Sequence, residues 1–189
     1  IAELPAGEAE ALALAALGGH DPAARARAQA IARESGGSPF FVDELARQRL
    51  PAGPAGTETI RLDAVIQSRV AQLPEDARRL LEVVVVAGEP LDLEVARRAA
   101  ELAGGHREAI DMLQAEHWVR PCALDDREAF EPFHDRVRES VVAIVPADRH
   151  AALHRRLAVA LEQAGTASPA TLAEHYMGAG ELELAASHA

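Results

Sequence analysis

The chain has 189 residues, of which 49% are apolar and only 3% aromatic. It carries 30 acidic and 19 basic residues, a net charge of −11, and every basic residue is Arg because the sequence contains no Lys. The missing Lys excludes a P-loop of the G-x-x-x-x-G-K-[ST] type, Schiff-base chemistry and Ser–Lys nucleophile pairs. The acidic balance disfavours unaided nucleic-acid binding, which depends on neutralising phosphates.

The apolar content is mostly Leu and Ala, with 42 Ala in all. Both are strong helix formers, so the composition predicts a mainly α fold of one domain or two small ones. Cys122 is the only cysteine, which excludes an internal disulfide or a thiolate zinc cluster and fits a reducing cytoplasm. No uninterrupted apolar run, 83–87 included, comes near the roughly 18 residues of a membrane span. The chain opens at Ile1 without a signal peptide, and it reads as a cytoplasmic fragment of a longer protein.

In chain order, a helix is expected over 7–17, stopped by Gly18-Gly19. Asp21-Pro22 is a cap followed by Pro at the first helical position, and it starts a helix that ends at Gly36-Gly37. Ser38-Pro39 repeats that signature for a third helix, to about Leu50. The stretch 51–56 (PAGPAG) is the best linker candidate. Helices are then expected over 62–72 and from Pro74-Glu75 to Gly88. The four Val at 83–86 also suit a buried strand, but the lead-in and the Gly stop favour a helix. Asp92 caps a helix to about Ala103, and another follows over 107–116. Residues 118–123 and 128–133 read as two strands of one hairpin, with 124–127 as its turn. Helices close the chain at 135–145, 148–164 and 169–177, with a last one from Leu182.

Three parts result: 1–57, 58–145 and 146–189. Helices closed by a two-stranded wing give the middle part the layout of a winged helix. The tail, with small residues at Ala158, Ala160, Ala173, Gly178 and Ala179, suggests the start of a helical repeat array.

Few residues carry chemistry. Gly36-Gly37-Ser38-Pro39 suits a helix stop and restart, and such turns also approach phosphates. His134 sits where the hairpin feeds a helix, placed either to cap that helix or to donate to an anion. His150 and His154 lie four apart on one helix, a spacing that can chelate a metal, but no third ligand is evident and no metal site is assigned. His175 and His188 read as interhelical packing residues. The carboxylate pairs fall on polar faces or turns, no Ser lies in a nucleophile elbow, and no catalytic residue is assigned.

Five segments in order resemble one family. They are 37–45 (GSPFFVDEL), 73–81 (LPEDARRLL), 133–139 (FHDRVRE), 154–158 (HRRLA) and 172–180 (LAEHYMGAG). Together they resemble modules of STAND-type AAA-like ATPases, found in bacterial LuxR-type (MalT-like) regulators and beside serine/threonine kinase domains. The resemblance implies a helical lid over 1–57, a winged helix over 58–145 and the start of tetratricopeptide-like repeats over 146–189. It implies that Gly37 and Pro39 fill the family's G-x-P positions near adenine, and that His134 contacts the nucleotide's β-phosphate. Ser38 stands where Asn is common. The P-loop and the Mg²⁺-binding acids lie outside this segment, so ATP or ADP would be held by an upstream P-loop domain of the same chain. Downstream repeats and a protein or small-molecule signal are the other implied partners.

On this reading the segment is a non-catalytic regulatory half of a nucleotide-dependent signalling switch. The alternative is a helical protein–protein scaffold that never touches nucleotide. A DNA-binding winged helix is disfavoured, because its recognition helix would carry Glu108, Asp111 and Glu116 beside Arg107.

Overall fold

The computed structural model describes residues 3–47, 61–124 and 127–189. Among them run eleven α-helices and three short strands. The chain is mainly helical, as its composition predicts. It forms two compact units, Ile1–Ser68 and Arg69–Ala189, divided within the fourth helix. The expected linker at 51–56 and the expected boundary at 57/58 lie outside the described residues.

In the first unit, α1 (Ala6–Leu17), α2 (Pro22–Glu34) and α3 (Pro39–Arg47) pack on one another. Asp21 caps α2 by accepting the Ala24 N–H at 2.8 Å, with Pro22 at the first helical position. Ala9, Ala13 and Ala28 are fully buried, so these helices meet through their smallest side chains, and Ile31, Phe41, Val42 and Leu45 fill the remaining core. α4 (Leu62–Gln72) opens with the Leu62 N–H donating to Glu34 at the end of α2, at 2.9 Å.

The second unit is built around α5 (Glu75–Ala87). From Leu80 to Ala87 every residue is buried, including the four Val. A helix buried on all sides reads as a continuous apolar run, which is why this stretch imitates a strand in sequence. Around it follow β1 (Leu91–Asp92), α6 (Leu93–Ala99), α7 (His106–Ala115), β2 (Val119–Leu124) and β3 (Arg127–Pro132). The strands form one antiparallel sheet in the order β1-β3-β2, with Leu91 opposite Phe130 and Val119 opposite Pro132. Helix–strand–helix–helix–hairpin with that strand order is the layout of a winged helix. The expected hairpin is present, although Asp125 and Asp126 of its turn lie outside the described residues. β1 is not predicted from the sequence, because two residues are too few to show a period of two.

α6 stops at Ala99, four residues earlier than expected. Glu101 adopts a left-handed φ of 55°, and the N–H groups of Glu101 and Leu102 turn back to the carbonyls of Arg98 and Arg97. That is the Schellman termination usually made by Gly. It was invisible in sequence because the residue in the left-handed position is a Glu.

α8 (Asp135–Val142) packs on α5 and β3, and α9 (Ala147–Ala164) packs on α5 and α6. The segment assigned to the tail therefore shares its core with the winged helix. Glu82, buried within α5, pairs with Arg149 of α9 at 2.7 Å. α10 (Pro169–Gly178) packs on α9 and on α11 (Leu182–His188), and Ser168 caps α10 by accepting the Thr171 N–H. No helix among the described residues is long and apolar enough to cross a membrane.

Gly178 is the tightest point of this tail. A Cβ there would lie 2.6 Å from the His154 ring. Gly to Ala within a helix normally stabilises by about 1 kcal/mol. Here overpacking, at about 1–3 kcal/mol, opposes that gain. Gly178→Ala is expected to lower the urea midpoint, with a net loss of about 1 kcal/mol. A raised midpoint would show that the His154 ring yields without cost.

Candidate functional site

Gly37 and Pro39 belong to the first unit, and His134 belongs to the second.

Gly36 and Gly37 both hold positive φ, 58° and 80°, at the turn between α2 and α3. The Gly37 carbonyl accepts the Leu4 N–H at 2.8 Å, and a Cβ on Gly37 would lie 2.5 Å from the Leu4 carbonyl oxygen. Gly37 is therefore fixed by the close approach of the chain's own extended start at Leu4-Pro5. Pro39 opens α3 and is half-buried, as is its neighbour Phe40, whose ring tilts against that of the buried Phe41 at 5.3 Å.

His134 is the extended residue between β3 and α8, with φ −152° and ψ 144°. Its Nδ1 accepts the Arg136 N–H at 3.1 Å, so the imidazole itself caps the helix. An accepting Nδ1 carries no hydrogen, so the neutral ring bears its proton on Nε2. The local backbone thus selects one tautomer and makes Nε2–H a donor. Both sequence readings of His134, cap and donor, are compatible with this one geometry.

Phe133, the residue before His134, lies at the base of the hairpin. The Phe133 N–H donates to the Trp118 carbonyl at 3.0 Å, and the Phe133 ring meets His117 edge-on at 5.1 Å. Trp118 is buried, and its indole N–H donates to Glu116 at 3.1 Å. The same carboxylate oxygen takes Arg69 at 3.1 Å, and the Arg69 guanidinium lies 4.9 Å from the centre of the Trp118 ring. Arg69, Gln72, Leu73, Pro74 and Glu116 line an open pocket of about 440 Å³. The sequence reading did not foresee this cluster, because its members come from α4, the end of α7 and the residue before β2, and no local spacing links them.

Four of the eight histidines gather in the tail. His150, His154 and His175 form a continuous ring contact, and His188 stacks on Tyr176 at 5.5 Å. His175 and His188 pack between helices, as their position suggested. The i, i+4 spacing of His150 and His154 was visible in sequence, but the arrival of His175 from α10 was not. Among the described residues no group of three or more His, Cys, Asp or Glu could hold a metal ion.

Compared with models of protein families and with curated proteins, the chain matches none.

Two outcomes follow from this geometry. Gly37→Ala places a side chain at positive φ against a backbone oxygen, and is expected to destabilise the protein by about 2–4 kcal/mol in chemical denaturation. An unchanged midpoint would mean that the Leu4 contact yields easily. His134→Ala removes a cap and should cost about 0.5–2 kcal/mol, whereas His134→Asn, which can accept the same N–H, should lose little of this.

Proposed function

We propose that this chain is the lid and winged-helix portion of a STAND-type signalling ATPase, which closes over ADP or ATP held by an upstream P-loop domain. The observation that carries the reading is His134. Its Nδ1 caps α8, which places the proton of a neutral ring on Nε2, at the junction of a winged-helix hairpin and α8. The five motifs in family order support the same reading, and so does the helix–strand–helix–helix–hairpin order of the second unit.

The chemistry of the residues fits a nucleotide in part. His134 offers an N–H suited to a phosphate oxygen. The half-buried Pro39 and Phe40 offer apolar surface suited to a purine. Gly37 is taken up by Leu4, so its part would be to shape the turn that presents Pro39. A bound nucleotide would supply anionic oxygens and a flat base, while hydrolysis would belong to the P-loop domain. His134 would hold the closed state by donating from Nε2, kept in orientation by the Arg136 N–H. A hydrogen bond to a charged group contributes about 1.5–3 kcal/mol, enough to shift a two-state equilibrium by roughly 10- to 150-fold. The parent protein would be a cytoplasmic regulator, either of transcription or linked to a serine/threonine kinase.

A scaffold role is favoured by a different observation. Met177, Leu182 and Leu184 are exposed on α10 and α11, at 60%, 68% and 44%.

The test is the nucleotide content of the full-length protein, purified as wild type, His134→Asn and His134→Ala, then denatured and resolved by chromatography. ADP that co-purifies with wild type is expected to fall by tenfold or more in both variants, although the Asn variant keeps its fold. Equal nucleotide in all three would remove His134 from the switch. No nucleotide in any of them would leave the scaffold.

A further inference from the structure

Three imidazoles meet where α10 packs on α9. His150 and His154, one turn apart, touch ring to ring at 4.7 Å, and His154 lies 5.1 Å from His175. The Nδ1 atoms of His154 and His175 are 2.9 Å apart, and His175 is only 3% exposed. A hydrogen bond between two ring nitrogens needs one donor and one acceptor, so two neutral rings share a single proton there. A further proton goes to Nε2 of the donating ring and leaves a cation in the interface. One more removes the acceptor and sets two cations in contact.

We infer that the His154–His175 pair is a proton-sensitive latch, which docks α10 on α9 while both rings are neutral and releases it on acidification. The latch is independent of the nucleotide reading.

The surroundings favour the neutral rings. Burial, then the neighbouring His175 and His150, hold His154 down at about 4 from an ordinary 6.5, with Glu174 of α10 acting in the opposite sense. Burial also lowers His175. The arginines of α9 are engaged elsewhere: Arg149 with Glu82 of α5, Arg155 with Glu181 before α11, and Arg156 with Glu101 after α6. Glu162 of α9 accepts from Tyr176 of α10 and lies 3.8 Å from His188 of α11. Gly178 lets α10 approach the His154 ring closely. The sign follows from linkage. A histidine depressed in the docked state binds protons more readily when undocked, so docking is complete above pH 6.5 and is lost as pH falls from 6.5 towards 4. Release would uncover the buried Leu172, Ala173 and Tyr176 of α10.

Amide hydrogen exchange on the full-length protein, between pH 7 and pH 5, tests this, with α5 amides as the internal reference. Protection of the α10 amides is expected to fall about tenfold relative to α5. Linkage at His154 alone gives roughly 20-fold, lowered by its partial solvent contact. The double variant His154→Gln/His175→Gln, which can keep a hydrogen bond but cannot titrate, should show no such fall. Should that variant not fold, ring ¹⁵N spectra of the wild type decide: His154 and His175 must take up protons over the same pH range in which α10 loses protection. Flat α10 protection, the same fall in the double variant, or a fall without ring protonation would each overturn the latch.

Discussion

The second unit depends on the burial of one helix. α5 has no solvent face over its last two turns, so α6, α7, α8, α9 and β3 can all pack against it. Such a helix is held by its neighbours, not by its own propensity, and four consecutive β-branched residues are tolerated because each meets a partner. The arrangement also explains an acid in the core. Glu82 lies within the Val-rich stretch and is matched by Arg149 from α9. Removing Arg149 is costly, because Glu82 is left buried and uncompensated. The pair therefore fixes how α9 sits on α5, and with it the start of the tail.

Two non-glycine residues in left-handed conformations set the corners of this unit. Glu101 ends α6 and His117 ends α7, each in a Schellman turn. The conformation costs about 1–2 kcal/mol at a residue with a side chain. At Glu101 the side chain offsets that cost, for its carboxylate takes both Arg79 of α5 and Arg156 of α9. At His117 the ring rests on Phe133. The turn at His117 brings the Trp118 N–H back to the Leu113 carbonyl and starts β2 at once. β2 in turn sets the register of β3, and the end of β3 delivers His134 to the start of α8. A strained helix end thus lies three steps upstream of the histidine that carries the proposed function.

Local signals in the sequence were sufficient where the determinant was local. The Asp21, Asp92 and Ser168 caps each accept the N–H groups expected of them, and the long helices fall within one or two residues of their expected limits. The early end of α6 was not legible, because Glu101 disguises a turn that Gly normally announces. β1 was not legible as a strand, because its two residues are defined only by β3. Gly37 was legible as part of a helix stop, and it holds positive φ in the turn after α2, but its neighbour Leu4, more than thirty residues away in sequence, was not legible. The cap role of His134 could be read from its position, but the tautomer could not, because it follows from the angle at which the Arg136 N–H arrives.

The two histidine arrangements use the same chemistry in opposite ways. At His134 one ring nitrogen accepts from the backbone, and a neutral ring therefore carries its proton on the other. At His154 and His175 both Nδ1 atoms are spent on each other, and the product is cohesion between helices. Each arrangement requires a neutral acceptor nitrogen. Protonating the pair would leave buried charge between α9 and α10. The two arrangements thus share one requirement, that an imidazole nitrogen stay bare where the backbone or a second ring needs an acceptor.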